Sequence, residues 1–368
     1  MQYSNNTAPI RILVLEGDGI GPEIVNSSLQ ILNELNRTYQ LNLHFEKMDI
    51  GFSSLKKEGT TFPEAVYQRA LEVDGIILGP VSHNVYPPVE KGGLNPSGEL
   101  RKRLDLYANI RPAKTVKGIP PPCQKPIDVV VVRENTEGFY ADRSMHMGPG
   151  EFMPTEDIAL SIRKVSRKAS LRIAKKAFQL AMKREKKITI VHKGNVLRVT
   201  DGLFLQCTRE MAKAYPEVHY EEKLIDAMAA LLVRDSSAFD VILTTNMYGD
   251  ILSDLTAEIS GSLGLGASLN LGDHYAVAQA QHGSAPDIAG KNRANPTSII
   301  SSVNMLLRWL AQKQDNASLL KAASIIDKGL QKNLSSPNTR TADLGGILDT
   351  QSFTHAILKD VRSLTTSP

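Results

Sequence analysis

Asp250 and Asp254 stand four residues apart in the stretch GDILSD, so on a helix they share one face. Two carboxylates on one face repel each other unless a cation sits between them. Oxygen-only ligation of this kind suits Mg²⁺ or Mn²⁺, with water and substrate completing the shell. The same residues also read as an N-cap acid at a helix start after Gly249, followed by a solvated acid. Asp226, at the edge of the apolar run LIDAMAALLV, is a third candidate ligand or a simple cap.

Positive side chains stand in comparable places. SGELRKRLDLYANIRP carries Arg101, Arg103 and Arg111, and Arg133 ends the run IDVVVVRE. Arginine grips carboxylates with two parallel hydrogen bonds. An arginine after four valines is expected to point into a crevice, whereas Arg101 and Arg103 alone also fit a solvated helix face. Tyr140 follows in RENTEGFY. Lys193 closes ITIVHK, where burial can lower a lysine's pKa and suit it to proton transfer, or where it simply snorkels. The loop HGSAPDIAGKNRANP (282–296) brings His282, Asp287 and Asn295 among small residues. Its backbone can approach a ligand closely, and Asp287 could accept both hydroxyls of a ribose.

These groups need a scaffold, and the patterning supplies one. RILVL (11–15) reads as a strand, 22–36 as a helix with Pro22 in its first turn, LNLHFEKMD as a strand, PEAVYQRALE as a helix and GIILG as a strand. That alternation predicts an α/β domain with a largely parallel sheet. Residues 80–98, dense in Pro, Gly and Asn, read as a long functional loop. Further strands are expected at 127–134, 187–195 and 239–246. A long basic helix is expected from Thr155 to Lys186, a helix from Tyr248 onward, and two more near 297–313 and 317–332.

The first strand runs into Gly17, Gly19 and Gly21. The dinucleotide fingerprint G-x-G-x-x-G would place its third glycine at position 22, which is Pro22. A tight βα turn needing positive φ explains these glycines, and the cofactor site must be sought elsewhere.

The chain of 368 residues has room for two domains, and 42% hydrophobic with 22% charged residues describes an ordinary globular protein. A net charge of +4, from 43 basic and 39 acidic residues, gives no reason to expect nucleic acid. Two cysteines fit a reducing compartment. No run of 18 apolar residues and no signal-like N-terminus occur, so the expectation is a cytoplasmic protein without a membrane partner.

Taken together, GDGIGPE, LRKRLDLYANIRP, VRENTEGFY, HKGNV with DGLF, NMYGDILSDL and HGSAPDIAGKNRANPTS resemble the β-decarboxylating dehydrogenases. These are the isocitrate, homoisocitrate, 3-isopropylmalate and tartrate/malate enzymes. The motifs run in family order from about residue 12 to 300. The resemblance implies a two-domain α/β fold distinct from the standard Rossmann fold. It implies a large domain from 1–106 and 261–368, with a smaller domain, 107–260, inserted and carrying the interface of a homodimer with shared active sites.

Residue by residue, the resemblance implies that Arg101, Arg111 and Arg133 hold substrate carboxylates, with Ser97 and Asn95 beside them. Asp250 and Asp254 would bind Mg²⁺ or Mn²⁺ with Asp226 of the other chain. Tyr140 and Lys193 would be the acid–base pair, Lys193 again from the other chain. Asn195 would approach the nicotinamide, and His282, Gly283, Asp287, Ile288 and Asn295 would hold the adenosine half. NADP-using relatives tend to carry Lys-Tyr where this chain has Asp287-Ile288, which implies NAD.

The substrate implied is a 2-hydroxy acid of the substituted-malate type. Isopropylmalate enzymes place leucines before the first arginine, whereas Asn95-Pro96-Ser97-Gly98-Glu99 builds no apolar wall. Isocitrate and homoisocitrate therefore come first, then tartrate or D-malate, then 3-isopropylmalate. Isocitrate enzymes read S-x-N-x-x-x-R, and here the serine and asparagine are swapped. Gln279 also stands where an acid is common. A non-catalytic regulatory subunit is the competing class, and the intact set of arginines, aspartates, Tyr140 and Lys193 speaks against it.

Overall fold

A computed structural model describes residues 8–366 except 124, 141–144, 146, 147 and 149. Most of the opening segment, read above as carrying no signal, lies outside the described residues. In chain order the elements are β1 (Ile10–Leu15), α1 (Gly21–Tyr39), β2 (Leu43–Lys47), α2 (Gly51–Glu58), α3 (Glu64–Ala70), β3 (Gly75–Leu78) and α4 (Pro96–Arg103). Then come β4 (Ala108–Lys114), β5 (Asp128–Glu134), β6 (Glu151–Thr155), β7 (Ile158–Ser161), α5 (Arg167–Ala181), β8 (Lys187–His192), α6 (Thr200–Ala212) and β9 (His219–Leu224). The rest are α7 (Ile225–Asp235), β10 (Val241–Thr244), α8 (Asn246–Ser260), β11 (Ala267–Leu271), β12 (Ala276–Ala280), α9 (Thr297–Gln314), α10 (Ala317–Leu334) and α11 (Thr350–Thr366).

The chain divides into two compact units. Unit 1 holds residues up to Glu99, Ala267–Leu269 and Tyr275 onward; unit 2 holds Leu100–Gly266 and Asn270–His274. In unit 1, β2, β1, β3 and β12 lie side by side and parallel. The inner strands β1, β3 and β12 are buried on both faces and read as largely apolar runs, as IRILVL and GIIL do, while the edge strand β2 is largely exposed. Helix α1 buries Ile24, Val25, Ile31, Leu32 and Leu35 and ends at Gln40 in the left-handed conformation.

In unit 2 the strand order is β4-β5-β10-β8-β9, antiparallel at β4–β5 and parallel elsewhere. The strand period of two decides which side chains share a face. Val129, Val131 and Arg133 share one face of β5, and Asn109, Arg111 and Ala113 share that face of β4, with Asn109 opposite Arg133. Helix α8 packs on this face through Leu252 and Ile259. The valine run thus carries its terminal arginine under a helix.

One expected element is different. The helix read from Thr155 to Lys186 is instead a β-hairpin, β6–β7, followed by a helix only from Arg167. Thr155, Ile158 and Ile162 favour extended backbone. Ser166 then starts α5 by accepting the Ala169 N–H at 3.2 Å.

Candidate active site

The floor of the site is the face of β4 and β5 beneath α8. Arg133 is fully buried and donates Nε to Asn246 Oδ1 at 2.9 Å and Nη1 to Asp250 Oδ1. Asn246 in turn donates to the Glu137 carbonyl at 2.9 Å, so the first residue of α8 is tied to the chain leaving β5. Arg111 donates Nε to Asn109 Oδ1 at 2.5 Å and Nη1 to Ser253 Oγ at 2.7 Å. The same Nη1 reaches Asp250 at 3.2 Å and Asp254 at 3.4 Å.

Asn246, Gly249, Asp250, Ser253 and Asp254 therefore form one stripe of α8 at helical spacing. Gly249 is required there. A Cβ at that position would stand 2.6 Å from Arg133 Cγ, inside any real contact distance. Burial works against charge on Asp250, but Arg133, Arg111 and Arg101 hold its carboxyl below the usual range. Burial and the like charge of Arg133 push Arg111 down to about 10, against the pull of Asp250 and Asp254. Asp250 lies a full turn inside α8, since the helix starts at Asn246 rather than near Gly249. Its compensation comes from guanidinium groups and not from a helix N-terminus.

Tyr140 OH donates to Asp250 Oδ2 at 3.4 Å, so the expected acid reaches this cluster. Lys193 and Asp226 form a second grouping. Lys193 lies one residue past β8, Asp226 in the first turn of α7, and Nζ meets Oδ1 at 2.6 Å. The Lys193 hydrogen bond holds the Asp226 carboxyl below its ordinary range. Asn195, in the same turn, is exposed. Among the described residues of one chain, no three His, Cys, Asp or Glu side chains come together as a metal site. Asp250 and Asp254 are two donors, and Asp226 does not join them within the chain.

The other expected residues lie in unit 1. Asn95 Oδ1 accepts the Gly98 N–H at 3.2 Å and caps α4, the helix that carries Arg101. Ser97 is buried and donates to Gln279 Oε1 at 3.0 Å. The departure at 279 is thus matched by a local polar partner. Asp287 is exposed, with Ile288 half-buried beside it on the turn Pro286–Ile288. Gly283 has open space where a side chain would stand. His282 Nδ1 lies 2.9 Å from the Gly283 carbonyl. A carbonyl only accepts, so Nδ1 carries the proton, and burial keeps the ring's pKa low and the ring neutral. Its Nε2 is a buried acceptor with no hydrogen-bond partner among the described residues. Asn295 is committed locally: Nδ2 donates to Asp343 at 2.9 Å and Oδ1 accepts the Thr297 N–H at 3.0 Å.

The glycine turn after β1 serves this loop. Gly17 and Gly19 have φ of 74° and 56°. A Cβ on Gly19 would lie 2.0 Å from the Ser284 carbonyl oxygen, which accepts the Ile20 N–H at 2.9 Å. Ser82 and Ser284 share a hydroxyl hydrogen bond of 2.8 Å. Buried Asp18 accepts the backbone N–H groups of Phe52 and Ser82, at 2.8 and 2.9 Å, and the Tyr86 hydroxyl. The turn is a backbone cradle for the 282–295 loop rather than a phosphate fingerprint.

Sequence reasoning did not single out Asn109, Asn246 and Ser253. A signal was present: each lies a few residues from a chosen charge on the same strand or helix face.

The family described as isocitrate/isopropylmalate dehydrogenase matches residues 11–360. The 3-isopropylmalate dehydrogenase of Sulfurisphaera tokodaii is 38% identical, over 94% of this chain and 97% of that one. The isocitrate/homoisocitrate dehydrogenase of Thermus thermophilus is 39% identical, over 96% and 99%. The crystal structure of isocitrate dehydrogenase from Methylococcus capsulatus superposes with a TM-score of 0.85 at 35% identity, over 96% of this chain and 99% of that one. The chain belongs to the isocitrate/isopropylmalate dehydrogenase family, oxidoreductases that act on CH–OH groups.

Proposed function

We propose that the protein oxidises and decarboxylates a 2-hydroxy acid of the substituted-malate type, isocitrate or homoisocitrate first, using NAD and Mg²⁺ or Mn²⁺. The observation that carries this reading is the pairing of buried Arg111 and Arg133 with Asp250 and Asp254 on one face of α8. Guanidinium groups that bind carboxylates stand beside carboxylates that suit a hard cation. A relative 37% identical over 96% of this chain is an Arabidopsis thaliana "Isocitrate dehydrogenase [NAD] catalytic subunit 6, mitochondrial", which supports NAD.

The donor set fits a divalent cation. Asp250 and Asp254 offer only oxygen, one turn apart, and both reach solvent. Asp226 of a second copy is the proposed third donor. The adenosine half fits as well: His282 presents an unpartnered acceptor, Asp287 is open to ribose hydroxyls, and Gly283 leaves room. When bound, the cation supplies Lewis-acid stabilisation of negative charge on oxygen, and NAD supplies the hydride acceptor.

The chain's own residues do the rest. Arg101, Arg111 and Arg133 bind and orient the substrate carboxylates. Lys193 Nζ of a second copy takes the proton of the C2 hydroxyl. Tyr140 OH returns a proton to the carbon that loses CO₂. Relatives of similar likeness carry different acids in their names, so the choice falls to the residues that precede Arg101 in the chain and to their partners. Asn95, Ser97 and Gln279 are polar, which favours an acid with a polar distal group over an isopropyl group.

A second copy is supported by surface chemistry. Phe152, Met153, Ile158 and Leu160 of the β6–β7 hairpin are all exposed, and a lone hairpin is marginal without cover. We infer a cytoplasmic homodimer; both cysteines are free, and no helix among the described residues is long and apolar enough to cross a membrane.

The test is NADH formation with Mg²⁺ against isocitrate, homoisocitrate, 3-isopropylmalate, D-malate and tartrate. The expected result is one preferred tricarboxylic acid, with activity abolished by EDTA and restored by Mn²⁺. Activity indifferent to EDTA, or none on any acid from a folded dimer, overturns the reading.

A further inference from the structure

Two charged side chains with no role in the reading above are buried together in unit 2. Arg163 is 7% exposed and Asp201 is 0%, and Nη2 lies 2.6 Å from Oδ1. The desolvation of such a pair offsets most of its attraction, so stability alone is a weak reason for it. What the pair touches is more informative.

Three segments meet there. Asp201 Oδ2 accepts the Lys193 backbone N–H at 2.5 Å. Arg163 donates Nη1 to Thr200 Oγ1 at 2.6 Å and Nη2 to Thr245 Oγ1 at 3.2 Å, immediately before α8. The guanidinium carbon lies 5.7 Å from the Phe139 ring centre and 5.5 Å from that of Tyr248, within cation–π range. Phe139 precedes Tyr140. The Tyr140 segment is fastened beside Arg163 by the paired hydrogen bonds of Gly138 and Lys164, at 2.8 and 2.9 Å.

The geometry points to Arg163 and Asp201 as positioning residues for the acid–base chemistry. Their buried pair fixes the Lys193 turn, the Tyr140 segment and the start of α8 in one arrangement. The inference rests on the assignment of Tyr140 and Lys193 as the acid–base pair. Only arginine offers a planar fork for two hydroxyls and a carboxylate together with faces for two rings. In the proposed dimer the pair sets Tyr140 for one site and Lys193 for the other.

The test is the double variant Arg163→Gln/Asp201→Asn, which removes both charges and leaves neither buried alone. The first readout needs no substrate: hydrogen exchange, by mass spectrometry, of peptides covering Phe139–Tyr140 and Lys193–Asn195. Exchange about tenfold faster or more in both peptides, with β5 unchanged, is expected from loss of the charge pair that holds the side-chain acceptor of residue 201 in place and from loss of the ring contacts. The second readout uses the acid that the unaltered enzyme oxidises best. There kcat falls about fiftyfold while both KM values stay within about threefold, because misplaced acid and base slow chemistry and not binding.

Unchanged exchange in the folded variant overturns the inference, as does a kcat within about threefold of the unaltered enzyme or a loss confined to KM. If the unaltered enzyme oxidises no acid, the functional reading fails while the exchange readout still decides the positioning role. If the double variant does not fold, Arg163→Lys carries both readouts with the same deciding outcomes. It keeps a charge beside Asp201 and lacks the planar fork that joins Thr200, Thr245 and Asp201.

Discussion

The two groupings of charge in unit 2 are built in opposite ways. Beneath α8, the Arg111 and Arg133 side chains are 7% and 2% exposed, and they engage Asp250, Asp254, Ser253, Asn246 and Asn109. The Lys193 and Asp226 side chains are 27% and 64% exposed and meet each other. The first grouping is held rigid by packing and by side chains that support side chains. The second is presented outward from a turn and a first helical turn. A buried, cross-braced cluster suits the gripping of an anionic substrate. An outward lysine–aspartate pair suits completion of a site on another copy. The contrast separates what one chain finishes from what the proposed dimer must supply.

Four substitutions break or sharpen the contrast, in descending order of effect. Arg133→Ala removes the central grip and leaves Asp250 short of its main partner. It should lower kcat/KM by about 10³ and destabilise the fold by about 2–5 kcal/mol, read by steady-state kinetics and denaturant unfolding. Lys193→Ala should lower kcat by about 10²–10³ while the melting temperature stays within error, because an exposed ion pair is weak. A large stability loss there would show that the second grouping is structural. Gly249→Ala puts a methyl group into the Arg133 stem; kcat/KM should fall about thirtyfold, with about 1–3 kcal/mol of lost stability. Asp287→Ala, at an exposed position, should raise KM for NAD about tenfold with kcat and stability within error. A tighter NAD complex in that variant would contradict the assignment of Asp287 to the ribose.

The sequence made the first grouping readable because its residues obey simple periods. Arg133 closes a valine run, Asp250 and Asp254 stand four apart, and the strand and helix that bear them have strong apolar patterns. The parallel strands and helices at 297–313 and 317–332 were readable for the same reason, and α9 and α10 occupy Thr297–Gln314 and Ala317–Leu334. The β6–β7 hairpin was not, because all of it is exposed and no buried face imposes a period on it. The role of GDGIGPE was half readable. Its glycines signalled a tight turn, but the reason for Gly19 is the carbonyl of Ser284, far along the chain, which no local pattern reports. Arg163 and Asp201 were invisible for a like reason, since their partners come from separate segments.

The central claim is that one chain supplies the α8 cluster and its partner supplies the base. It is tested most directly by mixing two inactive variants, Lys193→Ala and Asp250→Asn, under conditions that exchange subunits. About half of a random mixture is mixed dimers, and each mixed dimer has one intact site when the base crosses over. The account predicts recovery of about one quarter of the unaltered NADH-forming rate, from binomial pairing of two-fold dimers. A mixture as inactive as its components, with subunit exchange verified, would place both groupings in the same chain's site and contradict the account.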